Sequence, residues 1–305
     1  MGGDDRDGHD DGRLALAALV FGAVVIATTP ILVRLAACGP AAAGFWRLAF
    51  AAPLLFAAVW TGPRPGPGAP SPAMWLAGVA FALDLACWHY GIRLTSVANA
   101  TVLPNLTPVL VTPAGWLFLR ERPRPVFLIG MACAVCGAVR MALASPAAHS
   151  GAAPRLGDAL SAATAVWYGL YFLFIRIARR GHATSRVVLW TCLAGAPPLL
   201  AIAWALHEPL LPATASGWVA VAALGVVHVA GQGAIAWALG RLPAATASVT
   251  VLVQPVIAAA LAYWLFGEAL TPLQAVAGAA ALAGVVLAQQ APAWLIRRPR
   301  LRLAR

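Results

Sequence analysis

A chain of 305 residues with 61% hydrophobic and only 10% charged residues, at a mean hydropathy of +0.81, is far from the charge of about 25% that a soluble domain carries. Its net charge of +11 rests on 21 cationic residues, all arginines, and these gather at the ends of apolar stretches instead of along one solvated face. That placement excludes a nucleic-acid-binding protein and marks the arginines as topology signals in a membrane protein.

The chain opens on a polar tail, residues 1–13, containing Asp4, Asp5, Asp7, Asp10 and Asp11. Such a start is not that of a secretory leader, and the apolar run from Leu14 is long enough to remain as a helix. Ten apolar stretches are predicted as spans: 14–36, 41–60, 73–92, 97–119, 125–143, 157–178, 186–206, 217–239, 244–266 and 272–291. At about 1.5 Å of rise per residue, each can cross a hydrocarbon layer of about 30 Å. Breaks between them carry turn chemistry, as in Gly62-Pro63-Arg64-Pro65-Gly66-Pro67 and around Pro123 and Pro125. A basic tail, 292–305, closes the chain.

An even number of spans puts both termini on one side. That side then holds sixteen arginines and the other only four, Arg34, Arg93, Arg140 and Arg155, so both termini are expected in the cytoplasm. The absence of lysine beside abundant Arg, Ala and Gly points to a GC-rich bacterial genome, hence a bacterial plasma membrane.

Shifted by 147 positions, the chain matches itself: Ala98 with Ala245, Val102 with Val249, Pro108 with Pro255, Glu121 with Glu268, Pro125 with Pro272 and Gly137 with Gly284. The recurring Pro–Glu–Pro pattern is more discriminating than the Ala and Val matches and indicates a duplication. The fold class expected is therefore an all-α membrane protein of ten transmembrane helices in two five-helix repeats, 14–145 and 155–291. Five is odd, so the second copy enters the membrane from the opposite side and the repeats are inverted. Inverted repeats have two near-equivalent packings around a midplane site, which is the architecture of alternating access.

The segments ANATVLPNLTPVLVTPAGWLFLRE at 98–121 and AATASVTVLVQPVIAAALAYWLFGE at 244–268 carry a resemblance to a known family. Gly157-Asp158, WYGLYFLFIRIARR at 167–180 and FWRLAFAA at 45–52 extend it over nearly the whole chain. The sequence resembles the EamA family of the drug/metabolite transporter superfamily. The resemblance implies two five-helix repeats and transport of amino acids, other metabolites or drugs, with export favoured over import. Asp84, Trp88 and His89 depart from the family's usual apolar or aromatic third helix.

Polar groups within the spans are the candidate site residues, since an ionisable side chain in hydrocarbon must face protein or water. Five helices carry pairs four residues apart, hence on one face: Asp84 with Trp88, Thr101 with Asn105, Trp167 with Tyr171, His228 with Gln232, and Thr250 with Gln254. Either these faces line a substrate cavity or their hydroxyls and amides join helices as interhelical hydrogen bonds. Asp84 and Arg47 are the acid and the arginine well inside spans, at similar depth. They form a structural ion pair, or Asp84 is a proton carrier that couples transport to a gradient. Pro108 and Pro255, at matching repeat positions, are candidate hinges against a reading as static kinks. Glu121 and Glu268, at span ends, are read as structural caps or pairs.

Other motifs carry no chemistry here. Gly231-Gln232-Gly233-Ala234-Ile235-Ala236 fits a dinucleotide fingerprint but lies in mid-span, where small residues serve helix packing. Cys133-Ala134-Val135-Cys136 has no second pair to complete a zinc site, and Cys38, Cys87 and Cys192 also lie in or beside spans, as packing residues. No metalloprotease, serine-hydrolase or P-loop signature occurs, and neither a cofactor nor a metal is expected. The function expected is secondary active transport of a small metabolite by a lipid-embedded monomer or homodimer. The alternative is a polytopic enzyme acting on a lipid or prenyl substrate, which would need clustered acids or histidines at one membrane face where only scattered ones occur.

Overall fold

The computed structural model describes residues 4–61, 66–95, 103–144, 152–266 and 271–290, and the regular structure in them is helical throughout. In chain order the helices are α1 (Asp4–Ile26), α2 (Thr29–Leu35), α3 (Pro40–Trp60), α4 (Pro72–Leu94), α5 (Thr107–Leu119), α6 (Pro125–Leu143) and α7 (Pro154–Ala178). They continue as α8 (Thr184–Ala205), α9 (Ala215–Val227), α10 (Gly233–Leu239), α11 (Ala244–Thr250), α12 (Val253–Phe266) and α13 (Pro272–Gln290). Among the described residues seven helical stretches are long and apolar enough to cross a membrane, and Pro125–Met141 and Ala244–Ala258 are shorter apolar ones. The protein is a multi-pass membrane protein. Exposed Trp60, Trp116, Leu117, Phe118, Trp204 and Trp264 give it the outer surface of a body solvated by lipid.

Several predicted spans are not single helices. The stretch 14–36 breaks between α1 and α2, just before Pro30. The stretch 244–266 divides at Val251-Leu252 into α11 and α12. The described part of 97–119 is a 3-10 turn, Pro104–Leu106, leading into α5. One cause serves the last two breaks. A proline lacks an N–H and its ring collides with the carbonyl four residues earlier. For Pro255 that carbonyl is on Val251, which accepts instead from Gln254 N at 2.9 Å. For Pro108 the residue is Pro104, whose carbonyl accepts from the Thr107 hydroxyl at 2.7 Å. Both prolines therefore sit in the first turn of a new helical segment, where a missing N–H costs nothing, and not within a kinked continuous helix.

The halves are joined where small residues let backbones meet. On α6 and α13, Gly130 lies against Ala288, Ala134 against Gly284, Gly137 against Ala281, and Met141 against Gly278. Residue numbers rise along one helix as they fall along the other, so the two run antiparallel. The contact is also reciprocal: Gly137 meets Ala281, and Gly284, its counterpart 147 positions on, meets Ala134. Close approach is enforced, because a Cβ on Gly137 would lie 2.8 Å from the Ala277 carbonyl oxygen. Helices α3 and α8 pack in the same sense, with Gly44 against Leu199 and Gly195 against Leu48.

Two carboxylates hold the ends of the bundle. Arg120 takes a left-handed conformation, φ 59°, at the end of α5 and turns Glu121 back into the fold. There Glu121 accepts from Arg176 Nε at 3.2 Å and from the Ala244 N–H, the first residue of α11, at 2.9 Å. Burial pushes its carboxyl above the ordinary value, opposed by the Arg176 guanidinium. Glu208 accepts from the Ala42 N–H at 3.0 Å in the first turn of α3, and the Tyr90 hydroxyl donates to it. The expected structural role of Glu121 is thus matched by its partners, whereas Glu268 lies outside the described residues.

Candidate functional site

Charge inside this bundle gathers at one place. Arg47 on α3 is 3% exposed, and its Nε donates to His228 Nδ1 at 3.3 Å. Its guanidinium lies 5.4 Å from the centre of the Phe81 ring, within cation–π range, and its Nη2 is buried without a partner. The other ring nitrogen of His228, Nε2, is 3.3 Å from Cys192 Sγ on α8. With Arg47 donating to Nδ1, the imidazole is neutral and carries its proton on Nε2, which donates toward the sulfur. Tyr171 on α7 donates to Gln232 Oε1 at 3.2 Å, and its ring lies 4.9 Å from Phe81 and stacks on Tyr168 at 6.0 Å. Asp84, one turn along α4 from Phe81, is buried and feels the charge of Arg47.

His228 and Gln232 belong to a π turn, His228–Gln232, set between α9 and α10. Such a turn carries an extra residue in the helical ladder, and both flanking side chains here point into the core. Gly231 leaves room for this, since its Cβ position is filled by Ile26 of α1.

The structure brings some of the predicted site residues together and not others. Arg47, Asp84, Tyr171, His228 and Gln232 are brought together. Arg47 and Asp84 interact through space without direct contact; among the described residues the direct ion pair is Arg176–Glu121. Trp167 is partly buried and packs against the main apolar core, and Trp88 lies against the ring of the adjacent His89 at 5.2 Å. Asn105 sits in the 3-10 turn with Nδ2 buried and unpartnered, as is Nε2 of Gln254. Thr250 turns elsewhere: it donates to Thr246 O at 2.8 Å and accepts from Gln289 Nε2 at 2.6 Å, joining α11 to α13. Thr101 lies outside the described residues. Thr250 and Gln254 lie on either side of the turn at Val251-Leu252.

This geometry is a buried, aromatic-walled polar centre in which α3, α4 and residues from 168 to 232 take part. The family match has the same two-part form, since the EamA-like transporter family matches residues 13–143 and again 155–289. The chain belongs to the EamA-like transporter family. Curated relatives agree. An uncharacterized transporter of Archaeoglobus fulgidus is 27% identical over 277 residues, 90% of this chain and 96% of that one. The pseudopaline exporter CntI of Pseudomonas aeruginosa is 27% identical over 208 residues, 68% of this chain and 70% of its own. A crystal structure superposes with a TM-score of 0.78 over 91% of this chain and 97% of its own at 23% identity, which shows a shared fold. This EamA-like protein is accordingly a membrane transporter of small molecules.

Sequence reasoning passed over Phe81, Tyr168 and Cys192. Phe81 is three residues before Asp84 and Tyr168 three before Tyr171, so helical spacing alone places each on the face of a residue already singled out. Cys192 gives no such signal.

Proposed function

We propose that the chain is a secondary active transporter that carries a small metabolite, an amino acid or related compound, by alternating access around the Arg47–His228 centre. Its frame is ten transmembrane helices in two inverted five-helix repeats, 14–145 and 155–291, with both termini in the cytoplasm of a bacterial cell. The observation that carries this reading is the buried polar centre, because arginine and aspartate are retained in a lipid-embedded core only where they face a pathway or each other. The antiparallel, reciprocal packing of α6 on α13 supports the inverted frame, since a two-fold axis in the membrane plane relates such partners.

Arg47 supplies the donor for an anionic group of the substrate through Nη2, and Asp84 the acceptor for a cationic one. Phe81, Tyr168, Tyr171, Trp167 and Trp88 provide the apolar wall, and Asn105, Gln232 and Gln254 fix orientation. Thr250 serves the α11–α13 contact. Pro108 and Pro255, each starting a helical segment after a break, are the hinges about which α5 and α12 tilt. The exporter among the relatives favours outward movement.

Asp84 couples this movement to protons by taking up and releasing one as the centre faces each side in turn. Purified protein in proteoliposomes, offered a panel of labelled metabolites under an imposed pH gradient, tests both statements. Accumulation that depends on the gradient is expected, and Asp84→Asn should leave only downhill exchange. Gradient-driven accumulation that survives unchanged in Asp84→Asn would refute the coupling, and absence of movement for any small metabolite would refute the transport reading.

A further inference from the structure

A second feature lies apart from the polar centre, on the arginine-rich side of the molecule. A cleft of about 410 Å³ runs between the first turn of α4 and the last turn of α7, lined by Ser71, Leu76, Phe174, Ile177, Gly181 and His182 among others. Its two ends differ. Leu76 and Ile177 are substantially exposed on the lipid-facing surface and give one end an apolar wall with Phe174. The other end holds His182 and Ser71, whose Oγ is buried without a partner.

The two segments that form that end carry cations only, and the one acid that reaches them, Glu121, is taken up by Arg176. Residues 66–76 and 170–190 contain Arg176, Arg179, Arg180 and Arg186 and no acid. Arg176 is committed to Glu121, Arg179 donates to the Ala236 and His182 carbonyls, and Arg186 donates to Gly66 O at 2.9 Å. Arg180 is exposed, next to Gly181 in the cleft. The Arg186–Gly66 contact ties down the loop before α4 and the Arg179–His182 contact the turn after α7, so both rims of the cleft are held by side-chain hydrogen bonds.

We propose that this cleft holds an anionic phospholipid, its phosphate at the Ser71–His182 end beside Arg180 and an acyl chain along Leu76, Phe174 and Ile177. A free anion would leave the apolar wall uncovered, and a zwitterionic lipid, whose choline the arginines repel, would gain less from their excess. Anionic lipids are drawn to such basic pockets between helices at the membrane surface. A lipid seated there wedges α4 against α7, the two helices that carry Asp84 and Tyr171.

Native mass spectrometry of the full-length, delipidated protein tests the proposal, with phosphatidylglycerol, phosphatidylcholine and inorganic phosphate as probes. Phosphatidylglycerol should be retained about tenfold more than phosphatidylcholine, the selectivity expected of one or two cations near the headgroup. A Cβ at Gly181 meets no atom within 4 Å, so Gly181→Trp should fill the cleft without disturbing the fold and remove the bound lipid. The double variant Arg180→Gln, His182→Gln should retain the two lipids equally, and it carries the test if the tryptophan variant does not fold. Equal retention of both lipids by the unaltered protein, or unchanged phosphatidylglycerol binding in both variants, would overturn the proposal. Displacement of the lipid by inorganic phosphate at equal concentration would overturn it in favour of a free-phosphate site.

Discussion

Replacing Arg47 by alanine is expected to abolish transport while leaving the bundle folded. The guanidinium holds His228 through Nε at 3.3 Å, lies over Phe81, and keeps Nη2 free of any protein partner. Removing one member of a buried charged contact costs about 3 kcal/mol, roughly a hundredfold in initial rate when substrate is below saturation. The fold should tolerate the change, since a charge that was costly to bury is also removed and Asp84 can take up a proton. Arg47→Lys should recover little, because a point charge cannot hold His228 and present a second planar donor at once. Initial rates in proteoliposomes, beside melting curves of the same preparations, check this. A rate close to that of the unaltered protein would take Arg47 out of the substrate's path.

The second large effect belongs to the junction of the halves. Gly137→Leu should destabilise the protein by about 3 kcal/mol, at the upper end of the cost of overpacking a filled core. A Cβ there would lie 2.8 Å from the Ala277 carbonyl oxygen, and both neighbours are backbone, which cannot rotate away as a side chain would. Reciprocity makes a sharper statement. Gly284→Leu should cost the same, and the double variant less than the sum, because the helices are already apart after the first substitution. Thermal unfolding in detergent measures all three, and a Gly137→Leu protein with an unchanged midpoint would contradict the packing described.

The centre was legible where the residues are chemically expensive. Arg47, Asp84 and His228 stand out in apolar runs because lipid makes any unpaired charge conspicuous; in the fold Arg47 contacts His228, and Asp84 is buried within reach of its charge. Depth along a span could be counted, but azimuth could not. Arg47 and Asp84 lie at similar depth, yet the arginine contacts His228, a partner 181 residues away that no local pattern names. Spacing also says little about partners where a helix is interrupted. Thr250 and Gln254 are four residues apart, yet the segment turns at Val251-Leu252 and Thr250 pairs with Gln289 while Nε2 of Gln254 is left buried without a partner. The π turn at His228–Gln232 leaves no mark in composition, though the flanking Gly231 and Gly233 permit it. Cys192 reads as one more small apolar residue until His228 is found against its sulfur. Family and duplication, by contrast, were open to reading because proline and glutamate at a fixed offset are rare enough in such a chain to be informative.

Cys192 also supplies the most direct test of the central claim, that one buried centre faces the two sides of the membrane in turn. It is fully buried against His228, so only an opening of the centre can expose it. With Cys38, Cys87, Cys133 and Cys136 replaced by alanine, a membrane-impermeant thiol reagent should label Cys192 from either side of oriented vesicles, and transported substrate should slow both reactions. Labelling from one side alone, whatever gradient is imposed, would contradict alternating access.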